Sequence, residues 1–181
     1  RQGLILGEGI GALLLSQTPP QNRNCYRILE GDLSCDTSSL TMTAEDGSHI
    51  HEVMSQAIEK SGLQASDIDL VKVHGTATYN NDISEFNALN SYFNKPPPIL
   101  ALKPFIGHTL GACGALELAL MDYLLNKETI PVADYVDSQP QAVMLPFATA
   151  NQALSSFKHV LVNHCGFGGN NAALVLETIQ A

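Results

Sequence analysis

Apolar residues recur along this chain at two spacings, and the spacings divide it into helices and strands. Between Glu45 and Lys60 the apolar positions are Ile50, Val53, Met54, Ala57 and Ile58. Steps of three and four residues put them on one face of a helix, and Gly62 is placed to stop it. Asp82 to Phe93 repeats the pattern, with Ile83, Phe86, Leu89 and Tyr92 predicted near one face and Pro96-Pro97-Pro98 beyond its end. Gly111 to Asn126 predicts a third helix, apolar enough to be expected inside the molecule. Short apolar runs predict strands at Tyr26–Leu33, Ile68–Val73, Ile99–Leu102, Val160–Asn163 and Ala172–Leu176. The last two flank a glycine-rich turn, Gly166 to Gly169, and so predict a closing hairpin. Thr41 to His49 predicts a polar loop. Pro131 to Pro146 predicts a long packed one. Leu4 to Leu15 is apolar with glycines at 7, 9 and 11, which predicts a strand closely approached by other backbone. A dinucleotide phosphate loop is the sharper reading of those glycines. It fails because Pro19-Pro20 stands where its helix should begin.

Strands alternating with helices imply an α/β layered fold with a mixed sheet. A length of 181 residues suits one domain with a proper core. Charged residues are only 15% of the chain, against a typical ~25%, which suggests buried elements or faces that meet another protein. Nine Lys and Arg against eighteen Asp and Glu give a net charge of −9. That excludes nucleic acid as an expected partner, and an anionic membrane surface with it. The most apolar stretch is interrupted by Glu117 and Asp122 and is too short for a membrane span. The four cysteines form no Cys-x-x-Cys pair. They read as reduced, buried thiols of a cytoplasmic protein. The chain opens on Arg1 without a signal-peptide pattern, so it is expected to be a piece of a longer protein.

Chemistry concentrates where strands run into glycine-containing turns: Val71 to Thr78, Leu102 to Gly111, and Val162 to Asn171. Strand ends are where α/β proteins place their sites. Neutral imidazoles of His74 and His108 can donate hydrogen bonds to a developing oxyanion. Lys103 nearby would hold them neutral by like-charge repulsion. Thr76 and Thr78 can present two hydroxyls to one ligand tail. Backbone N–H groups from Cys165 to Gly168 can form a second oxyanion hole. Zinc on His74, His108 and His164 competes with this reading but lacks a fourth ligand. His49-Ile50-His51 reads as a solvated helix start. Cys165 beside His164 suggests a nucleophile, but neighbours on a strand point to opposite faces, so the cysteine is read as structural or pocket-lining.

Three motifs in order resemble the β-ketoacyl-acyl-carrier-protein synthases. His74-Gly75-Thr76-x-Thr78 with Asn81-Asp82 and Glu85 resembles their first histidine motif. Lys103-x-x-x-Gly107-His108-x-x-Gly111-Ala112-x-Gly114-x-x-Glu117 resembles the second. Asn163-x-x-Gly166-Phe167-Gly168-Gly169-x-Asn171 resembles their C-terminal glycine motif, and Gly7-Glu8-Gly9-x-Gly11 a strand near the middle of these enzymes. The resemblance implies the thiolase-like fold, two similar halves packed in five layers. Residues 1–181 would form the single C-terminal domain of a larger two-domain synthase. It implies decarboxylative condensation of malonyl-carrier protein with an acyl thioester carried on a cysteine. His74 and His108 would stabilise the enolate, and Lys103 would tune His108 with Glu117 as its partner. Thr76 and Thr78 would hold the phosphopantetheine arm, and no other cofactor is implied. The N–H of Cys165 would serve the acyl oxyanion hole, with Phe167 also at the substrate and Asp82 and Glu85 in support. The implied partners are acyl carrier protein and an N-terminal half or partner subunit, in a homo- or heterodimer. Arg23, Arg27, Lys95, Lys127 and Lys158 are candidates for a basic docking patch.

Two departures qualify that. The family's nucleophilic cysteine lies upstream of anything present, so this chain alone is expected to be inactive. Cys165 replaces a phenylalanine that gates the acyl pocket, and His164 and Asn170 replace serine and threonine. Two other functions therefore stand beside the enzyme: a non-catalytic, chain-length-factor-like subunit, and a half-fold used for binding or scaffolding. The first would lack the nucleophile in its other half, and the second would not bind carrier protein.

Overall fold

The computed structural model describes residues 3–127, 130–131, 146–149 and 152–181. Among the described residues five strands form one mixed sheet. In chain order they are β1 (Cys25–Cys35), β2 (Leu70–Lys72), β3 (Ile99–Leu100), β4 (His159–Gly166) and β5 (Asn170–Ile179). Across the sheet the order is β1-β5-β4-β2-β3. β1 and β5, and β5 and β4, pair antiparallel. β2 pairs parallel with β4 and with β3. The helices are α1 (Ser48–Lys60), α2 (Tyr79–Tyr92), the single turn α3 (Lys103–Ile106) and α4 (Cys113–Leu125).

Strand alternation splits the core into two layers. Val71, Leu161, Cys165, Ala173 and Val175 turn to one face and pack with Ile50, Val53, Met54, Ala57 and Ile58 of α1. Leu70, Val160, Val162 and Leu176 turn to the other and pack with Met121, Leu124 and Leu125 of α4. Helices thus cover both faces of the sheet, as the parallel half requires.

The predicted elements hold with four corrections. The first helix begins at Ser48 rather than Glu45, after Gly47 in the left-handed region at φ 72. α2 begins three residues earlier than the pattern predicts, and its buried positions are Asn81, Ser84, Glu85, Ala88 and Leu89. Ile83, Phe86 and Tyr92 are only half-buried. α4 is preceded by a 3-10 turn, Leu110–Ala112, and only one of its faces is buried: Tyr123 is exposed. Leu4–Leu15 joins no strand of the sheet; it is an extended segment with one bridge, Leu6 to His108. The expected close approach is nonetheless there. A Cβ on Gly7 would lie 2.1 Å from Ile106 O, and one on Gly11 would lie 2.2 Å from Leu116 N. The predicted loop Pro131–Pro146 falls almost wholly outside the described residues.

Candidate functional site

The site grows from the C-terminal ends of the parallel strands. Directly after β2, His74 and Gly75 donate their backbone N–H groups to the two oxygens of Glu85, each at 2.7 Å. Asn81 and Asn163 donate side-chain N–H to the same carboxylate at 2.8 and 3.0 Å. This explains the polar buried face of α2: it carries the carboxylate that fixes the turn. Buried, four-fold hydrogen-bonded carboxylates of this kind are rigid anchors. Asp82 lies in the first turn of α2, within 3.4 Å of the Asn81 amide. Further along the turn, Ala77 sits at φ 62. That left-handed residue brings the Thr76 and Thr78 hydroxyls to 2.8 Å of each other.

His108 is gripped by the glycine-rich segment. Its N–H donates to Ile5 O at 2.8 Å, and its carbonyl accepts from Gly7 N–H at 3.0 Å. Leu110, at φ 52, turns its N–H onto His108 Nδ1 at 3.1 Å. The Cys113 thiol stands 3.3 Å from the same nitrogen and 3.5 Å from Glu117 Oε1. Lys103, at the start of α3, donates to His74 Nδ1 at 3.2 Å, His74 O at 2.6 Å and Glu117 Oε1 at 2.8 Å. All three of its donors are used. Glu117 is thus its partner, but the imidazole it touches is that of His74. His108 feels its charge only at longer range.

Ring nitrogens fix the chemistry. Nδ1 of His74 and Nδ1 of His108 each face a donor, so the proton of each neutral imidazole sits on Nε2. The ring centroids are 5.3 Å apart, edge to face. Burial pushes the His74 pKa far below the ordinary histidine value, and the Lys103 and Lys72 charges push it further. Burial and then Lys103 lower that of His108 as well. Two neutral N–H donors therefore stand side by side.

Sequence reasoning missed Lys72. Its side chain is wholly buried on β2 and is ion-paired to Glu117 Oε2, and it donates to His164 Nε2 at 3.0 Å. The signal was a lysine inside the β-branched run Leu70-Val71-Lys72-Val73, where a strand buried on both faces has no place for an unpaired charge. Burial would raise the Glu117 pKa, but the Lys72 and Lys103 ammoniums override it and hold it down at about 2. The zinc reading loses its lone pairs, since lysines occupy His74 Nδ1 and His164 Nε2. Among the described residues no group of potential ligands is arranged to hold a metal.

The glycine hairpin differs from expectation in one way. Gly168 N–H is already taken by Leu40 O at 2.8 Å, so it cannot serve an oxyanion. Cys165 faces away from His164 into the α1 core, as alternation along the strand predicts. Burial first, and the Glu85 charge next, push its thiol well above the ordinary range, which disarms it as a nucleophile. At the turn the exposed aromatic is Phe167. All four cysteines are free, but Cys35 is exposed and Cys25 half-buried. His51 of the predicted solvated pair contacts Ser91 Oγ at 2.7 Å. Two of the proposed docking cations are neutralised: Arg23 pairs with Asp122 and Arg27 with Glu177. Lys127 lies over the Tyr123 ring.

Comparisons with known proteins agree on the family. The sequence model described as "Beta-ketoacyl synthase, C-terminal domain" matches residues 27–134. The 3-oxoacyl-[acyl-carrier-protein] synthase 2 of Mycobacterium tuberculosis (strain ATCC 25618 / H37Rv) is 30% identical over 181 residues, 96% of this chain and 43% of that protein. This chain therefore spans less than half the length of that relative. A chain from the complex of the ketosynthase ApeO with its chain length factor ApeC, from Xenorhabdus doucetiae, superposes with a TM-score of 0.75 at 30% identity, covering 89% of this chain and 40% of that one. A β-ketoacyl synthase from Burkholderia phymatum STM815 gives 0.68 at 29%, covering 84% and 37%. The fold is thiolase-like, as these ketosynthases are.

Proposed function

The chain belongs to the β-ketoacyl synthase C-terminal domain family, and from that premise we propose that it supplies the two histidines of a decarboxylating condensing enzyme. The observation that carries this is the pair of neutral Nε2–H donors on His74 and His108, each fixed through its Nδ1. The bond to the malonyl carboxylate breaks and carbon dioxide leaves. Its electron pair forms a thioester enolate whose oxygen carries the new charge. Two fixed N–H donors in a poorly solvated site stabilise such an oxyanion at no reorganisation cost. The enolate carbon then attacks an acyl thioester held on a cysteine, and the thiolate leaves. That cysteine would lie outside this chain, in an N-terminal half or a partner subunit. The chain would therefore be the C-terminal domain of a two-domain synthase. Thr76 and Thr78, already paired with each other, would open their hydroxyls to a phosphopantetheine arm delivered by acyl carrier protein.

In the intact protein, His74→Ala or His108→Ala should lower malonyl-carrier-protein decarboxylation and condensation by at least a hundredfold. Wild-type turnover in either variant would sink the reading. A second reading has one observation behind it: a similar structure comes from a ketosynthase–chain length factor complex. A non-catalytic partner subunit would fit that likeness. Against it, Lys103 bonds both His74 and Glu117, and His108 stands edge to face with His74. A nucleophilic cysteine upstream would decide for the enzyme, and its absence for the partner.

A further inference from the structure

Glu117 holds two ammoniums, not one. Lys103 lies on one oxygen and Lys72 on the other. Each ammonium then meets one imidazole: Lys103 meets His74, and Lys72 meets His164. The second arm repeats the first, yet nothing in the condensation chemistry above uses it. A lysine is costly to bury, and Glu117 alone would be neutralised by Lys103. His164 is the reason the second lysine has somewhere to go. Because Lys72 has only donors, His164 Nε2 must accept, and the ring proton must sit on Nδ1. That nitrogen has no partner among the described residues and is not among their buried unpaired atoms. The His164 ring lies 5.9 Å from the His74 ring, at a steep interplanar angle of 70°.

We propose that Lys72 is a positioning residue that holds His164 as a third neutral N–H donor, through Nδ1, beside His74 and His108 and toward an oxygen of the thioester substrate. The catalytic consequence rests on the condensing-enzyme reading; the tautomer does not. The charged and titratable groups around His164 are Lys72 on β2, His74 just beyond it, Lys103 on α3, His108 in the following turn and Glu117 on α4. Burial first, then Lys72, lower its pKa to about 3, in keeping with a neutral ring.

The test is two-bond ¹H–¹⁵N spectroscopy of histidine-labelled intact protein between pH 7 and 4.5, where Lys72 is charged, with His164 assigned through His164→Gln. The wild type should show His164 as the Nδ1–H tautomer, unprotonated throughout. Lys72→Met should erase that bias and raise the pKa of the ring, with burial still holding it below the ordinary value, while Lys72→Arg should retain the tautomer. An Nε2–H tautomer in the wild type overturns the proposal, even if Lys72→Met fails to fold. Carrier-protein condensation supplies the second readout. His164→Gln should reduce kcat by tens- to a hundredfold with KM changed less than about twofold. An unchanged kcat overturns the substrate role. A wild type with the expected tautomer and no condensation at all would count against the condensing reading alone.

Discussion

At the residue scale the site turns on Glu117. It is one buried carboxylate between two buried ammoniums, so its loss leaves more uncompensated charge than an isolated pair would. Glu117→Gln should therefore lower unfolding free energy by about 3–5 kcal/mol, measured by chemical denaturation of the protein at pH 7. Because burial lowers the Lys72 pKa to about 8 even with Glu117 in place, Lys72 should shed its proton when Glu117 is gone. The double variant with Lys72→Met should then cost less than the sum of the two singles. Additive losses would mean that the two groups are not coupled. His74, His108, Lys103 and Glu117 were legible in the sequence because each sits in a spaced motif. Lys72 was not, because its role depends on register: β2 and β4 align Lys72 with Val162, which sets its side chain beside that of His164. No local pattern announces a cross-strand neighbour ninety residues away.

At the element scale, the period-3.6 pattern oriented α1 correctly and missed only its start. It located α2 too late and kept only Leu89 of the four positions on the buried face, because hydrophobicity was not what decided that face. Glu85 must point inward to bind the backbone after β2, and Asn81, Ser84 and Ala88 follow on that side. A tertiary hydrogen-bond demand overrode the apolar pattern. The Leu4–Leu15 segment failed differently. Its composition was that of a strand, but its glycines exist to let it lie against Ile106–His108 and the first turns of α4. It contributes two backbone hydrogen bonds to His108 and no more of a ladder. Gly7→Ala should thus displace His108 rather than weaken a sheet. A methyl 2.1 Å from a carbonyl oxygen cannot be absorbed by a side-chain shift. The expected result is a loss of condensation at least tenfold larger than the accompanying drop in stability would explain. The checks are kcat beside the melting temperature, and parallel loss in both would make the segment merely structural.

The molecule as a whole carries its site as a pH liability. Burial and lysine charge keep His74 and His164 neutral far below pH 6.5 in the folded chain. The unfolded chain binds a proton on each near pH 6.5. Below that pH the unfolded state therefore holds up to two more protons, and stability falls as pH falls. Each imidazole costs about 1.4 kcal/mol per pH unit once well below 6.5, so the two together cost about 5 kcal/mol by pH 4.5. That is comparable to the whole stability of a small domain. Lowered in the same direction, His108 adds to the slope. Glu117 joins from about pH 5.5 downward, because its unfolded form is half protonated by pH 4.5 while the folded form stays ionised to about pH 2. Lys72 acts at the other end: its folded pKa is depressed, so stability should keep rising from pH 8 toward 10. Urea denaturation midpoints at pH 8, 6.5, 5.5 and 4.5 measure this. They should fall steeply between the last three, and Lys72→Met should make the acid limb shallower, because removing the cation raises the folded His164 pKa while burial still opposes its protonation. A flat profile from pH 6.5 to 4.5 would mean that the imidazoles protonate freely in the folded state. The neutral donor set on which both the condensing chemistry and the third imidazole depend would then be lost below about pH 6.5 rather than kept through the acid range.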